Sequence, residues 1–197
     1  MIYLASASPR RAELLHQLDL EFEVHPVDID EKIYPGESPD QAVTRLAGQK
    51  AEKAYHLLSE SGLDFSHGHI VLASDTLIGF NNHVIGKPES AERCQEILTM
   101  LSGQTHQVLS AVTVIGENTN PETCLSVNQV QFRKLQESEI ESYCLTAEPA
   151  DKAGAYAIQG KAAIFINHLE GSYSSVMGLP LFETAELLKK SGIEIIK

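Results

Sequence analysis

An α/β protein built on a mixed sheet is predicted by three observations. Strand-like and helix-like patterns alternate along the 197 residues. The run Ile70-Val71-Leu72-Ala73 is apolar at every position, as in a central strand covered on both faces. Residues 106–115 and 124–132 read as two strands joined in hairpin fashion by the polar loop GENTNPET, which adds antiparallel pairing. The length suits one domain over residues 1–197, with no repeats or linkers. One continuous unit and two lobes around a cleft are both compatible with this pattern.

Each element follows from its residues. Residues 2–5 are a short buried strand. Ser8 stands as N-cap and Pro9 as first helical residue of a helix to about Leu18. Phe22 and Val24 alternate with polar neighbours, as in a half-buried strand, and a polar loop carries Asp28, Asp30 and Glu31. Ser38-Pro39 opens a long amphipathic helix to about Leu58. After the 70–73 strand, Asn81-Asn82 makes a turn to a short strand at 84–85. Residues 90–101 are helical, and Ser138 caps a helix to about Leu145. Residues 162–166 are a strand, 180–190 a helix and 193–196 a last strand.

Composition excludes several function classes. Hydrophobic residues make up 43%, so a sizeable core forms without metal or disulfide staples. The net charge of −12 disfavours nucleic acid polymers and anionic membranes as partners. No run of about 18 apolar residues predicts a membrane span, and the N-terminus lacks the basic and apolar regions of a secretory signal. Cys94, Cys124 and Cys144 lack CxxC spacing, which predicts free thiols and a cytoplasmic protein.

Against that acidic background, local clusters matter. In Ser8-Pro9-Arg10-Arg11, two arginines occupy a first helical turn, where the helix dipole disfavours cations. The same place suits an anion, which arginine grips with its fork. A surface helix with two exposed arginines is the plainer alternative. Asp75, in Ser74-Asp75-Thr76, sits where the apolar strand runs out. It reads as a turn aspartate, a general base or a ligand for a hard cation. Lys50 lies on the apolar stripe Val43, Leu46, Ala47, Ala54, Leu57 and should face the protein body, unless it snorkels outward. Lys87 stands in the rigid loop Gly86-Lys87-Pro88. Residues 148–160 are rich in small residues and carry Asp151, Lys152 and Gln159. The segment GSYSSVMGLP is not a GxSxG nucleophile elbow, and neither a Walker A nor a GxGxxG motif is present. His67-Gly68-His69 is the closest histidine pair and lacks further ligands nearby, so oxygen donors point to magnesium or manganese over zinc.

Taken together, SASPRR, SDT, GKP, SGQTH, DKAGAYAIQG and GSYSSVMGLPL resemble the Maf family of nucleoside triphosphate pyrophosphatases, in order and over nearly the whole chain. The resemblance implies an elongated mixed sheet flanked by helices, with two lobes around a central cleft. It implies cleavage of a nucleoside triphosphate between the α- and β-phosphates by water and a divalent cation, Mg²⁺ or Mn²⁺. Asp75 resembles the family's proton acceptor. Ser8, Arg10, Arg11, Lys50 and Lys87 resemble its phosphate-contacting set. Glu31, with Asp30 beside it, resembles an acidic residue grouped with Asp75 at the metal.

Arg10, Thr76 and Gln159 resemble the dTTP/UTP branch, which also suggests modified pyrimidine triphosphates. A glutamine amide can accept from a pyrimidine N3–H and donate to O4. The 7-methyl-GTP branch of the family and a non-catalytic regulator of septum formation, acting through a protein partner, are the alternatives. A link to cell-division arrest comes with the family's name, and a homodimer is compatible with the chain.

Overall fold

The computed structural model describes residues 1–117 and 120–196. The strands are β1 (Ile2–Leu4), β2 (Phe22–Val24), β3 (Ile70–Phe80), β4 (His83–Ile85), β5 (Thr105–Ile115), β6 (Glu122–Phe132) and β7 (Ile166–Glu170). The helices are α1 (Pro9–His16), α2 (Pro39–Glu60), α3 (Ala91–Leu101), α4 (Glu137–Cys144), α5 (Tyr173–Met177) and α6 (Leu181–Lys190). One seven-stranded sheet runs in the order β2-β1-β3-β5-β6-β7, with β4 paired to β3. β1 is parallel to β2 and β3, and the other pairings are antiparallel, so the sheet is mixed as predicted. Asn81 and Asn82, at φ 50° and 62°, form the two-residue β3–β4 turn; asparagine tolerates that left-handed region.

β3, β5 and β6 each span 11 residues, about 36 Å of strand. The apolar residues near one end of β3 and β5, including Leu72 and Val112, pack with β1, α1 and α6. Those near the other end, including Ile78 and Val108, pack with α3 and α4. Ser74, Thr76 and Ser110 interrupt the apolar face between the two clusters. Strand alternation turns Asp75 to the opposite face from Ser74 and Thr76. There α2 crosses, burying Val43, Leu46, Ala47, Lys50 and Ala54. Leu57, expected on that stripe, is exposed, and Leu58 takes the inward place.

Several expectations change. The strand expected to end at Ala73 continues to Phe80, because Ser74, Asp75 and Thr76 pair in register with Val112, Ala111 and Ser110 of β5. The cap of α4 is Gln136, not Ser138: Glu139 Oε2 accepts the Gln136 N–H at 2.9 Å. Residues 161–165 form a 3₁₀ turn, and the strand begins at Ile166. No strand forms at 193–196; Ile193 and Ile195 pack against the β1-side cluster without a ladder. The expectation of three free thiols is also corrected. Cys94 on α3 and Cys144 on α4 form a disulfide, leaving Cys124 free. Their spacing of 50 residues hid a proximity that only helix packing creates. Part of the GENTNPET loop lies outside the described residues.

Candidate active site

A cleft of about 680 Å³ opens over the polar middle of β3. Its walls hold all nine residues singled out from the sequence: Ser8, Arg10, Arg11, Glu31, Lys50, Asp75, Thr76, Lys87 and Gln159. They come from six separate stretches of chain, so the fold gathers what the sequence scatters.

At the cleft floor, Lys50 Nζ lies 2.5 Å from both Asp75 Oδ1 and Glu31 Oε1. Lys50 is 9% exposed and Asp75 5%, so the lysine faces inward and does not snorkel. A buried charge needs such pairing, since desolvation alone would cost several kcal/mol. Burial raises the Glu31 carboxyl, but hydrogen bonding and charge from Lys50, with Lys87 and Arg11, outweigh it. The group is held below the ordinary carboxylate range.

At the cleft wall, Ser8 occupies the N-cap position of α1, but its side chain caps nothing. Its N–H donates instead to Ser6 Oγ at 3.2 Å. Arg11 turns back across the helix start. Its Nη1 donates to Ser6 Oγ at 3.1 Å and its Nε to the Gly178 carbonyl at 2.9 Å. Burial pushes the Arg11 guanidinium below its ordinary value, and the charge of Asp75 opposes that shift. Arg10 and Lys87 take part in no ion pair among the described residues. Both line the cleft, so their charges are available to an anion. Thr76 lines it too, yet its hydroxyl is engaged with Ser110 Oγ at 2.8 Å and the Gly178 carbonyl at 3.5 Å.

Other site features were legible beforehand only in part. The Gly178 carbonyl also accepts from Ser74 Oγ at 2.9 Å, and Gly178 adopts φ 119°, a conformation suited to glycine. Asn128 sews the same segment to the sheet: Nδ2 donates to Ser175 Oγ at 2.8 Å and to the Val108 carbonyl at 3.0 Å. Lys152 joins the cleft cations, although it pairs with Asp151. The sequence signal for Lys152 was its place in the small-residue run; the Gly178 carbonyl, a backbone atom, left none. His67 and His69 lie outside the cleft walls, next to Asp64 and Tyr3.

Among the described residues, no group of three or more His, Cys, Asp or Glu gathers as a metal cage. The pair Asp75 and Glu31 still fits a hard cation. One oxygen of each reaches the Lys50 ammonium, which shows that the two carboxylates lie close enough to share a positive charge, and Mg²⁺ commonly takes one or two carboxylates with substrate phosphates completing its shell.

Mixed sheet, helical flanks and cation-walled cleft define an α/β protein with a site for a phosphorylated small molecule. The fold is shared with a solved HAM1 protein from Coxiella burnetii at TM-score 0.53 and 19% identity, covering 96% of this chain and 98% of that one. The model of the Maf-like protein family matches residues 1–191, and the chain belongs to the Maf family. It is 48% identical to a dTTP/UTP pyrophosphatase of Nitrosospira multiformis, over 100% of this chain and 97% of the relative. It is 46% identical to one of Xanthomonas campestris, over 98% and 99%, and 44% identical to one of Pseudoalteromonas atlantica, over 98% of each.

Proposed function

We propose that this chain hydrolyses dTTP and UTP to the monophosphate and pyrophosphate. The observation that carries the proposal is the joint placement in one cleft of a buried carboxylate, Asp75, with Arg10, Arg11, Lys50 and Lys87. The names of the full-length relatives support the choice of nucleotide.

Asp75 Oδ1 is held by Lys50, and Oδ2 is left to take a proton from water. The water oxygen bonds the α-phosphorus, the bond from that phosphorus to the α–β bridging oxygen breaks, and the electron pair leaves with pyrophosphate. Arg11, fixed by the Gly178 carbonyl and Ser6, presents a rigid guanidinium to the phosphates. Arg10 and Lys87 offset the charge that grows on the departing pyrophosphate. Glu31 and Asp75 would hold the divalent cation, which when bound polarises phosphate oxygens as a Lewis acid. Gln159 reads the base edge by its amide.

Pyrophosphate release from dTTP, UTP and 7-methyl-GTP, with Mg²⁺ or Mn²⁺ titrated, tests the proposal. dTTP and UTP should be preferred, and Asp75→Asn should lower kcat roughly 10²–10⁴-fold while still binding nucleotide. A preference for 7-methyl-GTP would overturn the base assignment. Undiminished turnover in Asp75→Asn would overturn the role of Asp75.

A further inference from the structure

Gln159 makes no side-chain hydrogen bond among the described residues and is exposed to the cleft. Its aim therefore depends on the backbone that carries it. That backbone is clamped just downstream by one carboxylate outside the cleft walls. Glu148 Oε2 accepts the Lys161 N–H at 2.8 Å. Its Oε1 accepts the Ala162 N–H at 3.2 Å and the Tyr143 hydroxyl at 2.9 Å. The approach is so close that a Cβ on Gly160 would lie 2.4 Å from Oε1. Glycine at 160 is thus what lets the carboxylate reach the chain beside Gln159. Tyr143 is itself buried against Phe165, with ring centroids 5.2 Å apart, which anchors the clamp to the α3–α4 core.

We infer that Glu148 is a positioning residue for base selection, holding Gln159 in register with the cleft through the Gly160–Ala162 backbone. This inference rests on the proposed reading of Gln159 as the base-contacting residue. Burial alone would raise the Glu148 carboxyl, and its backbone donors with Tyr143 outweigh burial to hold it below the ordinary range. The clamp is therefore charged near neutral pH, and its hydrogen bonds are of the stronger, charge-assisted kind. Glu148 touches neither phosphate-contacting residues nor Asp75, so its loss acts on discrimination and leaves the hydrolytic step in place.

The test compares kcat/KM for dTTP, UTP and dCTP in four chains: the parent, Glu148→Ala, Gln159→Ala and the double variant. Urea unfolding of each confirms a folded protein. Glu148→Ala should reduce the dTTP-to-dCTP ratio about tenfold, since one misplaced amide forfeits a paired base edge. Its kcat should stay within a few-fold of the parent. The double variant should discriminate no worse than Gln159→Ala alone. Tyr143→Phe keeps the ring packing and removes one donor, so it should show a smaller drop in the same ratio even where Glu148→Ala folds poorly. An unchanged ratio in Glu148→Ala and Tyr143→Phe, or losses that multiply in the double variant, would overturn the inference alone. A parent without pyrimidine-triphosphate hydrolysis would overturn both the inference and the reading beneath it.

Discussion

Replacing Lys50 by methionine keeps the apolar stem and removes the ammonium that two carboxylates share. In the folded chain, Nζ stands 2.5 Å from Asp75 and from Glu31. Asp75 is 5% exposed, so water from the cleft only partly takes the lost partner's place. Breaking a buried pair from one side typically costs about 3–5 kcal/mol. The Glu31 side chain is 50% exposed, and a pair of that kind adds about 0–1 kcal/mol. Lys50→Met should therefore lose about 3–5 kcal/mol, nearly all through Asp75. In an Asp75→Asn background the same change leaves no buried charge and should cost about 2 kcal/mol less. Urea unfolding of the four chains at neutral pH, without nucleotide and with chelator, measures both quantities, with equal m-values as the check on the baseline. A Lys50→Met chain within 1 kcal/mol of the parent, or an equal penalty in both backgrounds, would refute the buried triangle and restore a lysine that snorkels.

Reduction of the Cys94–Cys144 disulfide should destabilise the chain. A loop of 50 residues is worth about 4 kcal/mol of chain entropy, or about 8–15 °C in Tm at this size. Thermal unfolding with and without a phosphine reductant reads this, and an unchanged Tm with both thiols alkylated would contradict it. His106, whose Nε2 lies 2.7 Å from the Tyr156 hydroxyl, is pushed by burial from 6.5 down to about 4. Above pH 6.5 both folded and unfolded chains hold it neutral. Below that the unfolded chain binds the proton first, so stability falls as pH drops toward 4, by about 3 kcal/mol in all. A His106→Gln chain should show a shallower decline over that window, and identical slopes would count against the assignment.

The residues chosen from the sequence proved easier to read than the elements around some of them. Lys50 was legible because helical periodicity fixes a facing direction without any tertiary information. Asp75 was recognised, but its setting was not. The polar triplet Ser74–Thr76 looks like a strand's end and is in fact its middle, because β5 continues the ladder alongside. Residues 162–166 read as a strand by apolar content alone, whereas the backbone bonds to Glu148 belong to a 3₁₀ turn over 161–165 that leaves Ile164 exposed. The disulfide and the Gly178 carbonyl depend on which helices and loops meet in space. No local pattern of Cys94, Cys144 or Gly178 encodes that meeting.

The two apolar clusters are joined by β3 and β5 themselves, with no linker between them. A hinge needs a few residues able to absorb large backbone rotations. In the middle of these strands, Ser74 to Thr76 are laddered to Val112, Ala111 and Ser110. The jaws of the cleft therefore cannot swing like the domains of a clamshell enzyme. A nucleotide must enter over a stiff floor, and any closing movement falls to peripheral loops such as the stretch that carries Glu31. The sheet in such an architecture serves as a fixed anvil beneath the nucleotide.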